Sequence, residues 1–299
     1  MKPAPFVYHR PATLDEALAL LAEHGGEAKP LAGGQSLIPA MNFRLARPAV
    51  LVDLNGVAEL GYVRAGQDGL RIGAMARQRA VERSDAVRGA APLVAEAMPF
   101  IAHAQIRNRG TVGGSLAHAD PAAELPAVML TLEARFRARS VKGERWIPAG
   151  EFFRGILETA LGPDELLVEV AVPESPARTG HAFEELARRH GDYALVGVAA
   201  RVTLDRRERC HAARITLFSV GDGPVLAAAA AALLDGQEPS PEAVRAAAEA
   251  AAQRDIDPPS DIHASAAYRR RLAAVLTRRA LARAVERATQ ASRSDHERG

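Results

Sequence analysis

Two glycine pairs, each beside small hydroxyl side chains, are the residues of this sequence best suited to hold a ligand. They lie in Ala32–Ser36 (AGGQS) and Thr111–Ser115 (TVGGS). Glycine lets the backbone bend and approach a ligand closely, and consecutive backbone N–H groups in such turns bind phosphate oxygens. Hydroxyls at Ser36, Thr111 and Ser115 add donors. Either pair alone fits an ordinary tight turn better, but the two together predict a pyrophosphate held from two sides.

Other familiar site motifs are missing from the sequence. It contains neither the dinucleotide fingerprint G-x-G-x-x-G nor the phosphate loop G-x-x-x-x-G-K-[ST]. H-E-x-x-H, C-x-x-C and G-x-S-x-G are also absent. The one cysteine, Cys210, cannot form a disulfide framework, an iron–sulfur cluster or a multi-cysteine zinc site within this chain. We therefore expect no metal site and no catalytic acid or base here.

Length and composition indicate the number of domains and the classes of partner that this protein can have. A length of 299 residues suggests two or three domains, and 48% hydrophobic residues with only 4% aromatics indicate aliphatic cores. A formal net charge of +2 is too small to favour nucleic acid or an anionic membrane as the main partner. No secretory signal or membrane-spanning stretch is visible. We expect a soluble cytoplasmic protein without an integral membrane segment.

The order of sequence patterns favours a mixed α+β protein over regular βαβ winding. A capping box formed by Thr13 and Glu16 predicts a helix ending at the glycines 25 and 26. Turn residues ending at Gly69 and Gly143 predict two hairpins. A helix is expected to start at Asp120 or Pro121.

The C-terminal part looks like a separate unit. The proline-rich stretch 173–180 is a candidate domain boundary, and two long strands follow it. Helices are predicted over 224–234, 240–253 and 266–288, with a solvated charged face on the last. We expect a disordered tail over 289–299.

Four stretches of the sequence resemble one family in their order along the chain. They are KPLAGGQSLIPAMNFRLARPAVLVDL, IRNRGTVGGSLAHADPAAELPAVML, FFRGILETALGPDELLVEVAVP and LARRHGDYALVGVAA. The order is similar to that in FAD-binding medium subunits of molybdenum hydroxylases. The resemblance is strongest to the carbon monoxide dehydrogenase type, which is related to the flavin domain of xanthine dehydrogenase. It covers about residues 1–285.

The resemblance implies a fold of the PCMH or vanillyl-alcohol-oxidase type. In that fold, two N-terminal subdomains enclose FAD and a C-terminal α+β domain completes the site. We expect FAD-binding subdomain 1 over 1–57 and FAD-binding subdomain 2 over 58–176. The C-terminal domain, of the carbon monoxide dehydrogenase flavoprotein type, is expected over 177–288.

The resemblance also implies a set of cofactor contacts. The two glycine segments match pyrophosphate loops, with a basic flanking residue at Lys29. Asp120 matches an acid that contacts the cofactor, and Tyr193 an aromatic residue beside the isoalloxazine ring, although Tyr193 by itself reads as a strand residue at a hairpin. The full set is Lys29, Pro30, Leu31, Ala32, Gly33, Gly34, Gln35, Ser36, Leu37, Ile101, Ile106, Thr111, Gly113, Gly114, Ser115, Ala117, Asp120, Leu167 and Tyr193.

The implied function is electron transfer in a multi-subunit oxidoreductase. Iron–sulfur clusters would lie on a small partner subunit and the molybdenum cofactor on a large one, in a dimer of heterotrimers. Electrons would reach an external acceptor through FAD on this chain. Two alternatives stay open: a self-contained FAD-dependent oxidoreductase of the same fold, and a nucleotide-binding module without catalytic activity.

One stretch departs from the family pattern. Related flavin subunits often carry a lysine in the strand before the arginine pair, where this chain has Glu184 and Glu185. If that lysine tunes the flavin or the acceptor site, the contact is lost here. The identity of the acceptor, whether quinone, NAD or oxygen, therefore stays open.

Overall fold

The computed structural model describes residues 2–296, and the chain begins with a small parallel sheet. The first elements are β1 (Val7–His9), α1 (Leu14–His24), β2 (Ala28–Leu31), α2 (Leu37–Asn42) and β3 (Val50–Asp53). The strand order is β1-β3-β2, and all pairs are parallel. Helix α1 starts at the capping box that the sequence predicts, with the Thr13 hydroxyl accepting from the backbone N–H of Glu16.

A five-stranded antiparallel sheet with a helical layer follows. Its strands and those of a small ribbon are β4 (Val63–Gly66), β5 (Gly69–Gly73), β6 (Arg135–Ser140), β7 (Gly143–Pro148), β8 (Phe153–Gly155), β9 (Glu158–Thr159) and β10 (Leu166–Val172). The helices are α3 (Gln78–Arg83), α4 (Asp85–Ala90), α5 (Pro92–Ala97), α6 (Ala104–Arg109), α7 (Val112–His118), α8 (Glu124–Thr131) and α9 (Ala149–Phe152). The sheet order is β4-β5-β10-β6-β7, while β8 pairs with β9. Both predicted hairpins are present.

The C-terminal part forms a third sheet covered by helices. Its elements are β11 (Thr179–Ala187), β12 (Ala194–Leu204), β13 (Cys210–Phe218), β14 (Val225–Leu226), α10 (Ala228–Leu234), α11 (Pro241–Ala250) and α12 (Ala266–His296). The strands are antiparallel in sequence order. A π-helical turn, Ala251–Asp255, extends α11. The predicted α+β class is confirmed.

The second and third sheets share one hydrophobic core. Phe183 and Phe218 from the third sheet belong to the same buried cluster as Phe136 from the second sheet and Phe152 from helix α9. The Phe183 and Phe218 rings stack with their centroids 5.8 Å apart. Because this core is continuous, the C-terminal part is held against the second sheet by apolar packing.

Charged side chains reinforce the same junction. Glu96 on α5 accepts hydrogen bonds from Arg283 and Arg287 on α12, and its carboxylate also accepts from the backbone N–H of Phe183. Arg283 donates to Glu184 on β11 as well, at 2.5 Å. Glu184, one of the two acids at the departure from the family pattern, is thus committed to an ion pair with α12.

The prediction of a disordered tail over 289–299 is wrong for the part that the structure describes. Helix α12 continues to His296. Ala288 is fully buried and Ser292 is 1% exposed, and the Thr289 hydroxyl donates to the Val285 carbonyl at 3.0 Å. Burial of small side chains on one face therefore prolongs the helix. Residues 297–299 lie outside the described residues.

Two local expectations near the second glycine pair are also corrected. TVGGS is not a loop before a helix, because Val112 to Ser115 already form the first turn of α7. The next helix, α8, begins at Glu124 rather than at Asp120 or Pro121. Asp120 instead closes a turn, since its carboxylate accepts from the Ala122 N–H at 2.8 Å and its carbonyl from the Ala123 N–H at 3.0 Å.

Candidate functional site

The first glycine segment, Ala32–Ser36, connects β2 to α2. Gly34 has a φ of +73°, a conformation that favours glycine. The side-chain amide of Gln35 donates to the Gly33 carbonyl at 3.1 Å, which tightens the turn. Within the described residues, the backbone N–H groups of 33–36 have no protein acceptor. The first segment therefore presents free donors of the kind that bind phosphate oxygens.

The second glycine segment, Thr111–Ser115, uses its backbone donors differently. The Val112 N–H donates to the Ala76 carbonyl at 3.0 Å and the Gly113 N–H to the Ala74 carbonyl at 2.8 Å. The Gly114 N–H donates to the Thr111 hydroxyl at 3.0 Å, which caps α7. Since these donors are committed within the protein, the second segment offers hydroxyl groups and close backbone packing more than free N–H groups.

The two segments are in direct contact. A Cβ atom added to Gly33 would lie 2.6 Å from the Arg109 carbonyl oxygen and 2.8 Å from the Gly110 Cα. A Cβ atom on Gly114 would lie 3.3 Å from the Ala32 Cβ. Only glycine allows the backbones to approach this closely, so the fold brings together two segments that are far apart in the sequence.

A cavity of about 510 Å³ opens beside the first segment. Its lining includes Ala32, Gly33, Gly34, Gln35, Tyr8 and Arg109. The free N–H groups of the first segment and Arg109 give this wall donors and positive charge, while the carboxylate of Asp53, also in the lining, is bonded to Tyr8 and Asn55. Such a lining fits an anionic group such as a pyrophosphate, and the volume falls in the range of ligand pockets.

A second group of predicted contacts gathers where the C-terminal part meets the second sheet. The turn before β12 packs against the segment before α6: a Cβ atom added to Gly191 would lie 2.3 Å from the His103 ring. Tyr193, at the end of this turn, is 70% exposed. Partial burial raises the pKa of Tyr193, and the neighbouring Asp120 and Glu124 carboxylates raise it further. The charge of Asp120 therefore acts on Tyr193 across the junction between the second and third sheets.

Two acids, one buried and one partly buried, interact electrostatically with this group or with each other. Glu124 is only 8% exposed, and burial, with a contribution from Asp120, raises its pKa to about 7. Burial, with a contribution from Glu124, raises the pKa of Glu185 to about 8. The Oε2 atom of Glu185 is buried without a hydrogen-bond partner. Near neutral pH, Glu185 is therefore mainly protonated and can serve as a hydrogen-bond donor.

The chain matches two family descriptions that together cover most of its length. Residues 4–175 match the FAD binding domain in molybdopterin dehydrogenase, and residues 181–284 match the carbon monoxide dehydrogenase flavoprotein C-terminal domain. The chain belongs to this flavoprotein family. FAD is accordingly its cofactor, and the residues that build the cavity and its free donors fit the cofactor's pyrophosphate.

Relatives extend over nearly the whole chain. The alpha subunit of the 6-hydroxypseudooxynicotine dehydrogenase complex from Paenarthrobacter nicotinovorans is 44% identical, covering 99% of this chain and 100% of the relative. Caffeine dehydrogenase subunit beta from a Pseudomonas species is 43% identical over 96% of this chain and 97% of its own. A structure of carbon monoxide dehydrogenase from Hydrogenophaga pseudoflava has a TM-score of 0.93 at 40% identity, covering 96% of this chain and 99% of that one.

These comparisons confirm the resemblance read from the four ordered stretches. The relatives are subunits of dehydrogenases, so this flavoprotein belongs to the oxidoreductases. Within residues 2–296, none of the helices has the length and apolar character needed to cross a membrane.

The predicted contacts occupy unequal positions in the structure. Lys29 and Pro30 lie on β2, Leu31 ends it, and Leu37 begins α2, so they flank the first segment. Ile101 and Leu167 are 8% and 5% exposed in the shared core, which leaves little surface for a cofactor. Ile106 lies on α6, while Ala117 is exposed on α7. Their roles as individual FAD contacts stay predictions.

Sequence reasoning missed the side chains that join the two glycine segments. Asn55 donates to the Ala32 carbonyl, and Arg77 donates to the Arg109 carbonyl. Neither residue belongs to a recognised motif. The one available signal was position, because Asn55 lies two residues after the buried strand β3 and Arg77 directly precedes α3.

Proposed function

We propose that this chain is the FAD subunit of a cytoplasmic molybdenum-containing dehydrogenase. In this complex it would pass electrons from iron–sulfur clusters on a small subunit through FAD to an external acceptor. A large subunit would hold the molybdenum cofactor, and two heterotrimers would form the complete complex. The observation that carries the proposal is the contact between the two glycine segments beside an anion-compatible cavity, in a chain of this family.

The chain's own residues bind and orient the cofactor. The N–H groups of 33–36 and the hydroxyl of Ser115 bind the pyrophosphate. Tyr193 and Asp120 face the flavin end and limit access of water. FAD, when bound, would supply the redox chemistry that links the partner's clusters to the external acceptor.

The relatives indicate that substrate choice lies outside this subunit. The chain is 44% identical to a subunit of a dehydrogenase named for 6-hydroxypseudooxynicotine and 43% identical to one named for caffeine. It is 39% identical to the medium chain of a dehydrogenase named for carbon monoxide. Chemically unrelated substrates thus accompany similar flavin subunits. We propose that the substrate of this complex is selected on the molybdenum subunit.

A direct test is the absorption spectrum and metal content of the purified chain. The isolated chain should contain FAD, released on denaturation as FAD rather than FMN, with neither iron nor molybdenum. Co-expression with the expected partners should yield a complex that contains all three redox groups. Colourless protein that takes up no FAD would refute the proposal.

The self-contained oxidoreductase is tested by turnover. The isolated chain should not reduce its flavin with any small organic substrate of the complex, whereas the complete complex should. Substrate-dependent bleaching of the isolated, FAD-loaded chain would favour the self-contained enzyme instead.

A further inference from the structure

We infer that Asn55 and Arg77 form a clasp that sets the spacing of the two glycine segments and supplies positive charge to the FAD pyrophosphate. The inference rests on the proposed use of FAD. Asn55 and Arg77 are positioning residues in this view, because they act through the backbones of the segments.

The clasp is a chain of hydrogen bonds from one segment to the other. The side-chain amide of Asn55 donates to the Ala32 carbonyl at 3.0 Å. The Asn55 carbonyl oxygen accepts from Arg77 Nη2 at 2.6 Å, and Arg77 Nη1 donates to the Arg109 carbonyl. Ala32 and Arg109 directly precede Gly33 and Gly110, which touch each other. The clasp therefore spans the segments at the point where they meet.

A buried acid fixes the orientation of Asn55. Asp53 is 7% exposed and accepts from the backbone N–H of Asn55 at 3.0 Å and from its side-chain amide. The Tyr8 hydroxyl donates to the other carboxylate oxygen. Burial opposes ionisation of Asp53, but these hydrogen bonds outweigh it and lower the pKa. A charged, fully bonded carboxylate holds the Asn55 side chain in one orientation.

The backbone on the Arg77 side is equally fixed. Arg77 pairs with Thr111 in an isolated β-bridge, and the Gln78 N–H donates to the Gly110 carbonyl at 2.9 Å. These bonds anchor Arg77 to the second segment independently of its side chain. Removing the guanidinium should therefore break the link between segments without releasing the second one.

The charge of Arg77 is not neutralised by an ion pair. Within the described residues, no carboxylate lies within salt-bridge distance of Arg77 or Arg109. Desolvation and the neighbouring Arg109 lower the pKa of Arg77, although a guanidinium remains charged. Arg109 lines the cavity beside Gly33 and Gly34, and Arg77 lies behind it, bonded to the Arg109 carbonyl. The Asp53 carboxylate in the same lining offsets part of this positive charge. An anionic pyrophosphate is the group that such a site would stabilise.

The test compares binding of FAD and riboflavin to the full-length apoprotein. Asn55→Ala and Arg77→Met should each raise the dissociation constant for FAD by about tenfold or more, as loss of a charge-assisted contact predicts. Binding of riboflavin, which has no pyrophosphate, should change less than about twofold. Arg77→Lys should recover part of the affinity, because it keeps the charge but not the planar fork.

Two further measurements distinguish binding of the pyrophosphate charge from a purely structural role. They are the salt dependence of the FAD dissociation constant and the FAD affinity of the double variant. The dissociation constant of the wild-type chain should rise with salt, and Arg77→Met should flatten this dependence. The double variant should lose less affinity than the sum of the two single losses, because the residues act as one unit.

Arg64→Met is the charge-matched control. Arg64 is an exposed arginine stacked over the Tyr62 ring, and the variant should bind FAD normally.

The possible failures are distinguishable. If the wild-type chain binds no FAD, the proposed function fails. If it binds FAD but both single variants bind it with unchanged affinity and salt dependence, the clasp is wrong and the function stands. The inference would also be wrong if the variants lost equal affinity for FAD and for riboflavin. It would be wrong as well if Arg77→Lys recovered no FAD affinity and its apoprotein unfolded at a lower temperature.

Discussion

Gly33 is the residue at which the site depends most directly on the absence of a side chain. A methyl group there would collide with the Arg109 carbonyl and the Gly110 Cα, both of which are backbone atoms. Backbone cannot move aside as a flexible side chain can, so the two segments would separate. The close contact with Arg109 and Gly110 thus explains why position 33 is a glycine better than a need for an unusual backbone conformation does.

Gly33→Ala is expected to weaken FAD binding at least tenfold, because separation of the segments disrupts the pyrophosphate site. The measurement is titration of the apoprotein with FAD. Gly89→Ala is the matched control, since an added Cβ meets nothing within 4 Å on helix α4 and alanine favours a helix. Normal FAD affinity in Gly33→Ala would show that the contact is not needed.

Glu185 predicts a dependence of stability on pH. Its pKa is raised from 4.5 to about 8 in the folded chain, so the folded state holds a proton that the unfolded state has lost. The free energy of unfolding should fall as pH rises from about 5 to 8, by at most about 1.4 kcal/mol per pH unit for one group. Glu185→Gln should flatten this slope and stabilise the chain at pH 8.

Urea unfolding of the apoprotein at several pH values measures the slope. Because the pKa of Glu124 is raised to about 7, part of the pH dependence of the free energy of unfolding should persist in Glu185→Gln. Glu23→Gln, at an exposed position on α1, provides the control. An unchanged slope in Glu185→Gln would mean that this carboxyl is ionised in the folded chain.

At the scale of elements, the second glycine pair behaves as the start of a helix. Thr111 caps α7, while the Val112 and Gly113 N–H groups donate to the 74–76 backbone. A glycine pair favours a turn in isolation, but these bonds hold it in helical geometry. The helix in turn places Gly114 against Ala32 of the first segment.

Thr111→Val should remove the cap without changing side-chain volume. We expect the free energy of unfolding to fall by about 1 kcal/mol, the usual value of a helix cap. Thr111→Ser keeps the hydroxyl and should retain most of that stability. Denaturant unfolding of both variants is the measurement, and equal destabilisation of the two would assign the effect to packing rather than to the cap.

At the scale of the whole molecule, the flavin-binding half and the C-terminal part are joined by apolar packing and by two acids, Glu96 and Glu133, each paired with two arginines of the C-terminal part. Glu96 is the one that bonds helix α12. Glu96 lies at the centre, receiving two arginines of α12 and a backbone N–H of β11. Its side chain is 19% exposed, whereas Arg283 and Arg287 are 40% and 43% exposed. Solvent therefore screens part of the attraction.

Glu96→Gln is expected to lower the free energy of unfolding by roughly 1–2 kcal/mol, since a half-buried charged acceptor is lost but the apolar core remains. Glu144→Gln, within a single hairpin and paired with one exposed arginine, should cost less than about 0.5 kcal/mol. Thermal unfolding followed by Trp146 fluorescence, which reports on the second sheet, and by circular dichroism, which reports on the whole chain, would show whether the two halves uncouple. Equal effects of the two substitutions would contradict the central position of Glu96.

The sequence alone determined the class, the family and most of the elements. Hydrophobic periodicity and turn residues locate α1, both hairpins and the long strand Ala194–Leu204, because these signals are local. Four ordered stretches were enough to identify a flavoprotein of the molybdenum hydroxylase type. The lone cysteine cannot supply the thiolates that an iron–sulfur cluster needs.

Only the tertiary structure decided how the site is assembled. The contact of Gly33 with Gly110, the Asn55–Arg77 clasp and the ion pair of Glu184 with Arg283 join residues that are distant in the sequence. The helical start at Thr111 and the helix beyond residue 288 likewise depend on partners elsewhere in the chain. Local patterns carry no information on such partners, because the free energy of each contact arises only when packing brings its two sides together.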